Sequence, residues 1–398
     1  MRRKIIGLSL LLLFTIQAKS FQSRFKVDDT KYLLQSFALQ IEITDAVDHM
    51  YNFNFHKAEV EFNWLKFNYP KHPLPYFLYG ISTWWQMMPN LDKVGELGDE
   101  FIAYMDSSIY MAEEILDREE DNIEALFFLA GSYGFKGRFH SDRKNWGKAA
   151  NAGRLALKYL KRTQGNETFS PEILFGDALF NYYSIWIREN YPMLRPVLFF
   201  FPKGDKELGV KQLEEVAANA FYTRVEAIFF LMRIKAFETK ETAEALRLGS
   251  YVHTQYPNNP YFHRFYARML YNSGQRTKAE EVSKEIMQRL DSGVLGYEET
   301  SGRYASFILA HINKGRGNWE EAEPYYLQTL KFSEGSETEN EGYALYARLH
   351  LAEYYVDEKR YTEAKPLIAN IRKYTKRRSS SYKKARALEK EIKQNRKR

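Results

Sequence analysis

The chain of 398 residues contains no cysteine. That removes disulfide staples, thiolate metal sites and lipid attachment through a cysteine, so the fold must be held by packing alone. Long apolar runs are equally scarce. After residue 20 the most apolar stretch, 197–201, is too short to cross a bilayer and is flanked by prolines. Catalytic signatures are missing as well: there is no H-E-x-x-H, no G-x-S-x-G, no Walker loop and no dinucleotide fingerprint. His49 and His56 are seven apart, but residues 52–54 between them read as a turn, so they share no helix face. Gly131, Gly134 and Gly137 have neither a preceding strand nor a following Gly-Lys-Ser/Thr, and read as helix packing and a turn rather than a phosphate loop. No catalytic residue, metal or cofactor is therefore assigned, and no enzyme is expected.

What the chain does have is aromatic rings, 16% of its residues, with 29 Tyr and 28 Phe. Such rings serve as interlocking packing residues in helical repeats. A basic start (Arg2, Arg3, Lys4), an apolar core at residues 5–16 and Ala18-Lys19-Ser20 read as a cleaved secretory signal over 1–20. Twelve apolar residues span about 18 Å as a helix against a hydrocarbon core of about 30 Å, too short for an anchor. The expectation is an exported protein of a periplasm or of the cell-envelope membrane face. Residues 1–20 carry a net +4 and residues 372–398 a net +11, so of the formal +7 the body between them carries −8. A mildly acidic body precedes a basic tail.

Small residues recur twelve apart: Ala46 and Ala58, Ala267 and Ala279, Ala310 and Ala322, Ala352 and Ala364. Gly274 and Gly317 each lie seven after the first alanine of their pair, where a turn between two helices belongs. Tyr69-Pro70-Lys71-His72-Pro73 and Tyr256-Pro257-Asn258-Asn259-Pro260 share a Y-P-x-x-P pattern that predicts helix-to-helix junctions. With these residues in place, 39–372 resembles the tetratricopeptide repeat (TPR) family, in which a small residue on helix A faces a small residue on helix B twelve positions later. The resemblance implies an all-α fold, an α-solenoid of TPR-like helical hairpins. A degenerate unit over 122–160 is phased on Ala130, which leaves its partner Ala149 seven residues late and predicts a longer turn over 138–145.

The least repetitive stretch is 191–213, YPMLRPVLFFFPKGDKELGVKQL. Pro192, Pro196 and Pro202 break a helix there, and Gly204-Asp205 predicts a turn and an N-cap for a helix from Lys206. Its residues Phe201, Pro202, Gly204, Asp205, Glu207, Leu208 and Gly209 resemble a segment of the tetratricopeptide repeat 39 family. The chain thus divides into a signal (1–20), amino-terminal repeats (21–190), a central irregular apolar insert (191–213), carboxy-terminal repeats (214–372) and a basic tail (373–398) able to form a capping helix. Burial of residues 198–201 as an internal wedge is expected over a membrane contact.

The TPR resemblance implies a concave groove lined by helix A. Phasing on Ala267 places Tyr261, Arg264, Arg268, Tyr271 and Asn272 in it, and the next unit adds Tyr304, Phe307, His311 and Lys314. Arg264, Arg268 and Asn272 fall at i, i+4 and i+8, a stripe of donors on one face. Arginine can hold a carboxylate bidentately and tyrosine supplies rigid contact area, so the expected partner is a protein or peptide with an acidic group or C-terminal carboxylate, not nucleic acid. A solvated or acid-paired arginine face is the competing reading of the stripe. Two other functions compete with a binding scaffold: a hydrolase or glycan-processing enzyme on a helical toroid, and a peripheral membrane adaptor using 197–201 or the basic tail.

Overall fold

The computed structural model describes residues 31–91, 94–166, 168–192, 195 and 202–395. The expected signal at 1–20 and the apolar segment 197–201 lie outside the described residues.

Among the described residues the regular structure is helical throughout. After a 3-10 turn at Leu33–Gln35 come α1 (Phe37–Glu42), α2 (Thr44–Tyr51), α3 (Phe55–Asn68), α4 (Pro73–Met87), α5 (Glu96–Leu116), α6 (Ile123–Asp142), α7 (Trp146–Thr163), α8 (Ile173–Asn190) and α9 (Lys206–Asn219). The chain continues as α10 (Arg224–Arg233) with a π turn (Ile234–Glu238), α11 (Thr242–Gln255), α12 (Pro260–Asn272), α13 (Arg276–Asp291), α14 (Glu299–Gly315), α15 (Trp319–Gly335), α16 (Gly342–Asp357), α17 (Tyr361–Tyr374) and α18 (Ser380–Asn395). Consecutive helices pack as antiparallel hairpins from α2/α3 to α16/α17, and the first helices of neighbouring hairpins also touch, making an inner layer. The fold is an all-α solenoid.

The period has a clear physical basis. All eight alanines of the four twelve-residue pairs are fully buried, 0% exposed, where the two helices of a hairpin meet. Seven residues after the first of each pair the chain turns through the left-handed region, at Phe53, Gly274, Gly317 and Lys359. The next amide then donates to a carbonyl five residues back: Asn54 to His49, Gln275 to Leu270, Asn318 to Asn313, Arg360 to Tyr355. This is the Schellman closure of a helix C-terminus, repeated. The degenerate unit obeys the same rule once its phase is corrected. Gly137, not Ala130, is the small residue, Ala149 follows it by twelve, Lys144 takes the left-handed turn (φ 58°), and Asn145 donates to His140. No long turn over 138–145 exists, because α6 runs on to Asp142.

The expected N-cap at Asp205 forms: its carboxylate accepts from the amides of Glu207 (3.0 Å) and Leu208 (3.1 Å). Lys206–Asn219 is therefore a helix, so the end of the 191–213 stretch belongs to the α8/α9 hairpin. Gly209 sits where α9 crosses α8 so closely that a Cβ would lie 2.7 Å from the Tyr182 amide nitrogen, which accounts for that glycine of the motif. In the tail, α18 folds back on α16 and α17 and buries Ala385 and Ile392.

The solenoid winds tightly enough for distant parts to meet. Helix α4 is buried on nearly all sides and acts as a hub, with Trp85 edge-on to Phe229 of α10 (5.8 Å) and against Phe262 of α12 (5.1 Å). The second Y-P-x-x-P segment docks on the first hairpin. The Tyr256 hydroxyl donates to Asp48 (3.1 Å), the Asn258 amide to Asn52 Oδ1 (2.9 Å), and Asn259 Nδ2 to the Tyr51 carbonyl (2.8 Å).

Candidate binding groove

The inner layer formed by α4, α6, α8, α10, α12, α14 and α16 sets the candidate surface. Along it run guanidinium groups lying on aromatic faces. The Arg264 carbon Cζ is 4.9 Å from the Tyr261 ring centre and 6.0 Å from that of Tyr304. That of Arg268 is 4.5 Å from Phe237 and 6.0 Å from Tyr343. Tyr343 in turn meets Tyr304 (4.8 Å) and Phe307 (4.6 Å), so the rings form a continuous row.

Arg264 is neither solvated nor paired with an acid. It is 6% exposed, donates from Nη2 to the Met88 carbonyl (3.2 Å), and its Nη1 has no hydrogen-bond partner among the described residues. Burial lowers its pKa from the ordinary arginine value. A buried cation without a counter-charge costs several kcal/mol, by about the effective penalty per desolvated ion. Arg268 is half-buried and, like Arg264, lies on rings rather than on a carboxylate.

The remaining sequence-predicted residues fall into different settings. Tyr261 accepts from Arg233 Nη1 (2.8 Å) and lies against Phe229 (5.2 Å). Tyr304 is half-buried in the ring row, whereas Phe307 is 8% exposed and acts mainly as packing. Tyr271 hydrogen-bonds His311 Nδ1, and His311 is pulled down to about 4 by burial and by neighbouring His350 and Lys314. The Lys314 Nζ lies 2.6 Å from His350 Nδ1 and 3.9 Å from Glu353, so this lysine is committed within the protein. Asn272 is exposed at the end of α12 and shares no cluster with the arginines. The expected donor stripe is thus two arginines, not two arginines and an asparagine.

Sequence reasoning missed Arg138 and Arg233. The Arg138 Cζ stands over Trp84 (4.6 Å), Phe229 (5.0 Å) and Phe230 (5.1 Å), and its Nη1 has no partner among the described residues. Arg233 is exposed and 5.6 Å from the Phe229 ring centre. The missed signal is the echo E-A-L-F-F-L at 124–129 and E-A-I-F-F-L at 226–231, an acid leading an apolar run on two inner helices.

Three buried acids, Glu124 and Glu226 of these motifs and Glu172 at the start of α8, bear on chemistry. Burial raises the Glu172 and Glu226 carboxyls above their usual range. Glu172 accepts from the amides of Phe221 (2.7 Å), Tyr222 (2.9 Å) and Thr223 (2.9 Å) and from the Thr223 hydroxyl (2.6 Å), which fastens the start of α10 to α8. Glu226 Oε1 accepts from Trp85 Nε1 (2.7 Å) and Tyr51 (3.4 Å), tying α10 to α4 and α2. Glu124 accepts from the Leu34 amide (2.6 Å) and meets His72 Nε2 at 3.1 Å. Each of the three joins separate parts of the solenoid.

Among solved structures, the chain is similar to a crystal structure of the P58(IPK) TPR domain, at 15% identity over 77% of this chain and 99% of that one, with a TM-score of 0.28. No protein-family model and no curated protein matches the chain. The fold assignment rests on the helix geometry above.

Proposed function

We propose that this chain is a non-catalytic interaction scaffold of the cell envelope, which holds a protein or peptide in the inner groove of its TPR-like superhelix. One observation carries the reading: Arg264 and Arg268 face aromatic rings rather than carboxylates, with one guanidinium nitrogen of Arg264 left unpartnered in a buried place. A ligand carboxylate would supply the missing charge, and the rings a rigid apolar floor. The two fully buried acids with raised pKa, Glu172 and Glu226, are engaged in fastening helices, which favours a binding role over hydrolysis.

Site-specific photo-crosslinking in intact cells tests the groove. A crosslinker at Asn272 is expected to capture a defined protein, and Arg268→Gln to reduce that capture. An equal yield from a crosslinker at Lys211 on α9 would refute the reading. For export, the full chain is expected in the envelope fraction and a chain lacking 1–20 in the cytoplasm; identical fractionation would remove that part alone.

A further inference from the structure

The groove reading rests on α12 and α14, but arginines without an acid partner among the described residues continue beyond them onto α6 and α10. There Arg138 of α6, Arg233 of α10 and Arg264 of α12 surround one pair of rings, Phe229 and Tyr261, whose centres are 5.2 Å apart. Arg138 and Arg233 lie over Phe229, Arg264 lies over Tyr261, and Arg233 donates to the Tyr261 hydroxyl. None of the three belongs to an ion pair among the described residues, and both Arg138 and Arg264 keep a buried Nη1 without a partner. Arg233 is exposed, so solvent reaches the cluster from one side.

The nearby acids do not neutralise it. Glu226 is in electrostatic range of Arg138, but its Oε1 is held by Trp85 and Tyr51 and burial favours its neutral form. Asp142 also acts on Arg138 from a distance, and Glu298 on Arg264. Three guanidiniums on an aromatic floor, drawn from three helices, leave two positive charges in excess over Glu226, with Asp142 and Glu298 acting only from further off. Like charges held together at low dielectric are unfavourable without a counter-ion, and the flat guanidinium fork matches a carboxylate.

We infer that Arg138, Arg233 and Arg264 form a binding subsite for an acidic peptide segment presenting two carboxylates, with its backbone against the partly exposed Tyr261 ring while Phe229, buried beneath the guanidiniums, is the floor that holds them. This inference presupposes the groove reading and adds the residues that set the partner's charge. The subsite lies outside the stripe on which that reading depends, apart from Arg264 at their junction.

The test uses the full chain and two probes, N-acetylated hexaglutamate amide and its hexaglutamine counterpart, titrated calorimetrically at low salt. Hexaglutamate is expected to bind and hexaglutamine not. Arg138→Gln and Arg233→Gln are each expected to weaken hexaglutamate about tenfold, the scale of one charge-assisted hydrogen bond, while Lys211→Gln on α9 leaves it unchanged. Because Arg233 is exposed, Arg233→Gln keeps the test valid should Arg138→Gln fail to fold. Hexaglutamate binding unaffected by both substitutions but lost in Arg268→Gln overturns the subsite and leaves the groove reading standing. Binding lost in none of the variants, or lost equally in Lys211→Gln, overturns both. Inorganic phosphate bound in an Arg233-dependent way with no hexaglutamate binding would assign the cluster to a small oxyanion instead and overturn the peptide.

Discussion

Arg264 holds a charge where the fold would be more stable without one. Its guanidinium is buried and makes one hydrogen bond, to the Met88 carbonyl. Replacing a buried, incompletely compensated charge by an apolar side chain of similar volume is often neutral or stabilising. Arg264→Met is therefore expected to raise unfolding free energy by roughly 1 kcal/mol while weakening hexaglutamate binding; urea denaturation and calorimetry check the two halves. A fall in stability would mean that the arginine serves the fold rather than a ligand.

His263 makes the opposite case, a residue whose charge the fold refuses. It is fully buried, stacks on His253 at 4.6 Å, takes Nδ1 to the Tyr297 hydroxyl at 2.8 Å, and is pushed down to about 2 by burial, then by His253 and Arg289. Glu285 stands 3.7 Å from Nε2, beyond hydrogen-bond reach, and is held by Arg289 at 2.7 Å. Lys278 reaches towards the same surface over Tyr266. The folded state thus binds a proton less readily than the unfolded chain. The stability this contributes is complete above the unfolded histidine value of about 6.5 and is lost as pH falls below it, by up to about 1.4 kcal/mol per pH unit. Wild type should lose more stability between pH 7.5 and 5 than His263→Gln does. Equal losses would show that other groups, His253 and His311 among them, carry the acid sensitivity.

At the scale of elements, the hairpin turn explains both what could be read in advance and what could not. The small-residue pair and the turn seven residues on are local in sequence, so alanines and glycines betrayed them at α12/α13 and α14/α15. The same turn at Lys144 and Lys359 is built by residues that seldom adopt the left-handed conformation, and there the signal vanished. In the α6/α7 hairpin this shifted the assigned phase by two helical turns. The cost of the conformation gives a test. Gly317→Ala is expected to destabilise by about 1–2 kcal/mol, whereas Lys144→Gly should leave stability unchanged or slightly raised, since relieved strain offsets the extra freedom glycine gives the unfolded chain. Thermal unfolding of both variants decides it; a Gly317→Ala protein as stable as wild type would contradict the strain argument. The groove was half legible for a related reason. Helical phase places Arg264 and Arg268 inward, but that Arg138 and Arg233 join them depends on how α6 and α10 curl towards α12, and that leaves no period in the chain.

The whole molecule departs from a simple stack of repeats, in which each unit touches only its neighbours and stability is a sum of local terms. Buried apolar residues from Leu33 to Met269 form one continuous cluster, while the carboxy-terminal hairpins have two smaller cores of their own, from Tyr266 to Ile312 and from Phe307 to Ile392. The closure of Asp48, Tyr51 and Asn52 onto Tyr256, Asn258 and Asn259 joins residues more than 200 positions apart. Helices α2 to α4 should therefore open together with α10 to α12, and α16 to α18 should open separately at lower free energy. Asn259 is the test position, because its Nδ2 satisfies the Tyr51 carbonyl while its Oδ1 caps α12 through the amides of Tyr261 (3.0 Å) and Phe262 (3.2 Å). Asn259→Ala should cost about 2–3 kcal/mol, a lost cap plus a buried carbonyl left without its donor. In hydrogen exchange the variant should speed opening of the α2/α3 hairpin as much as that of α12 itself. Acceleration confined to residues 256–272 would show that the first hairpin holds without the closure, and that the amino-terminal half behaves as a linear array after all.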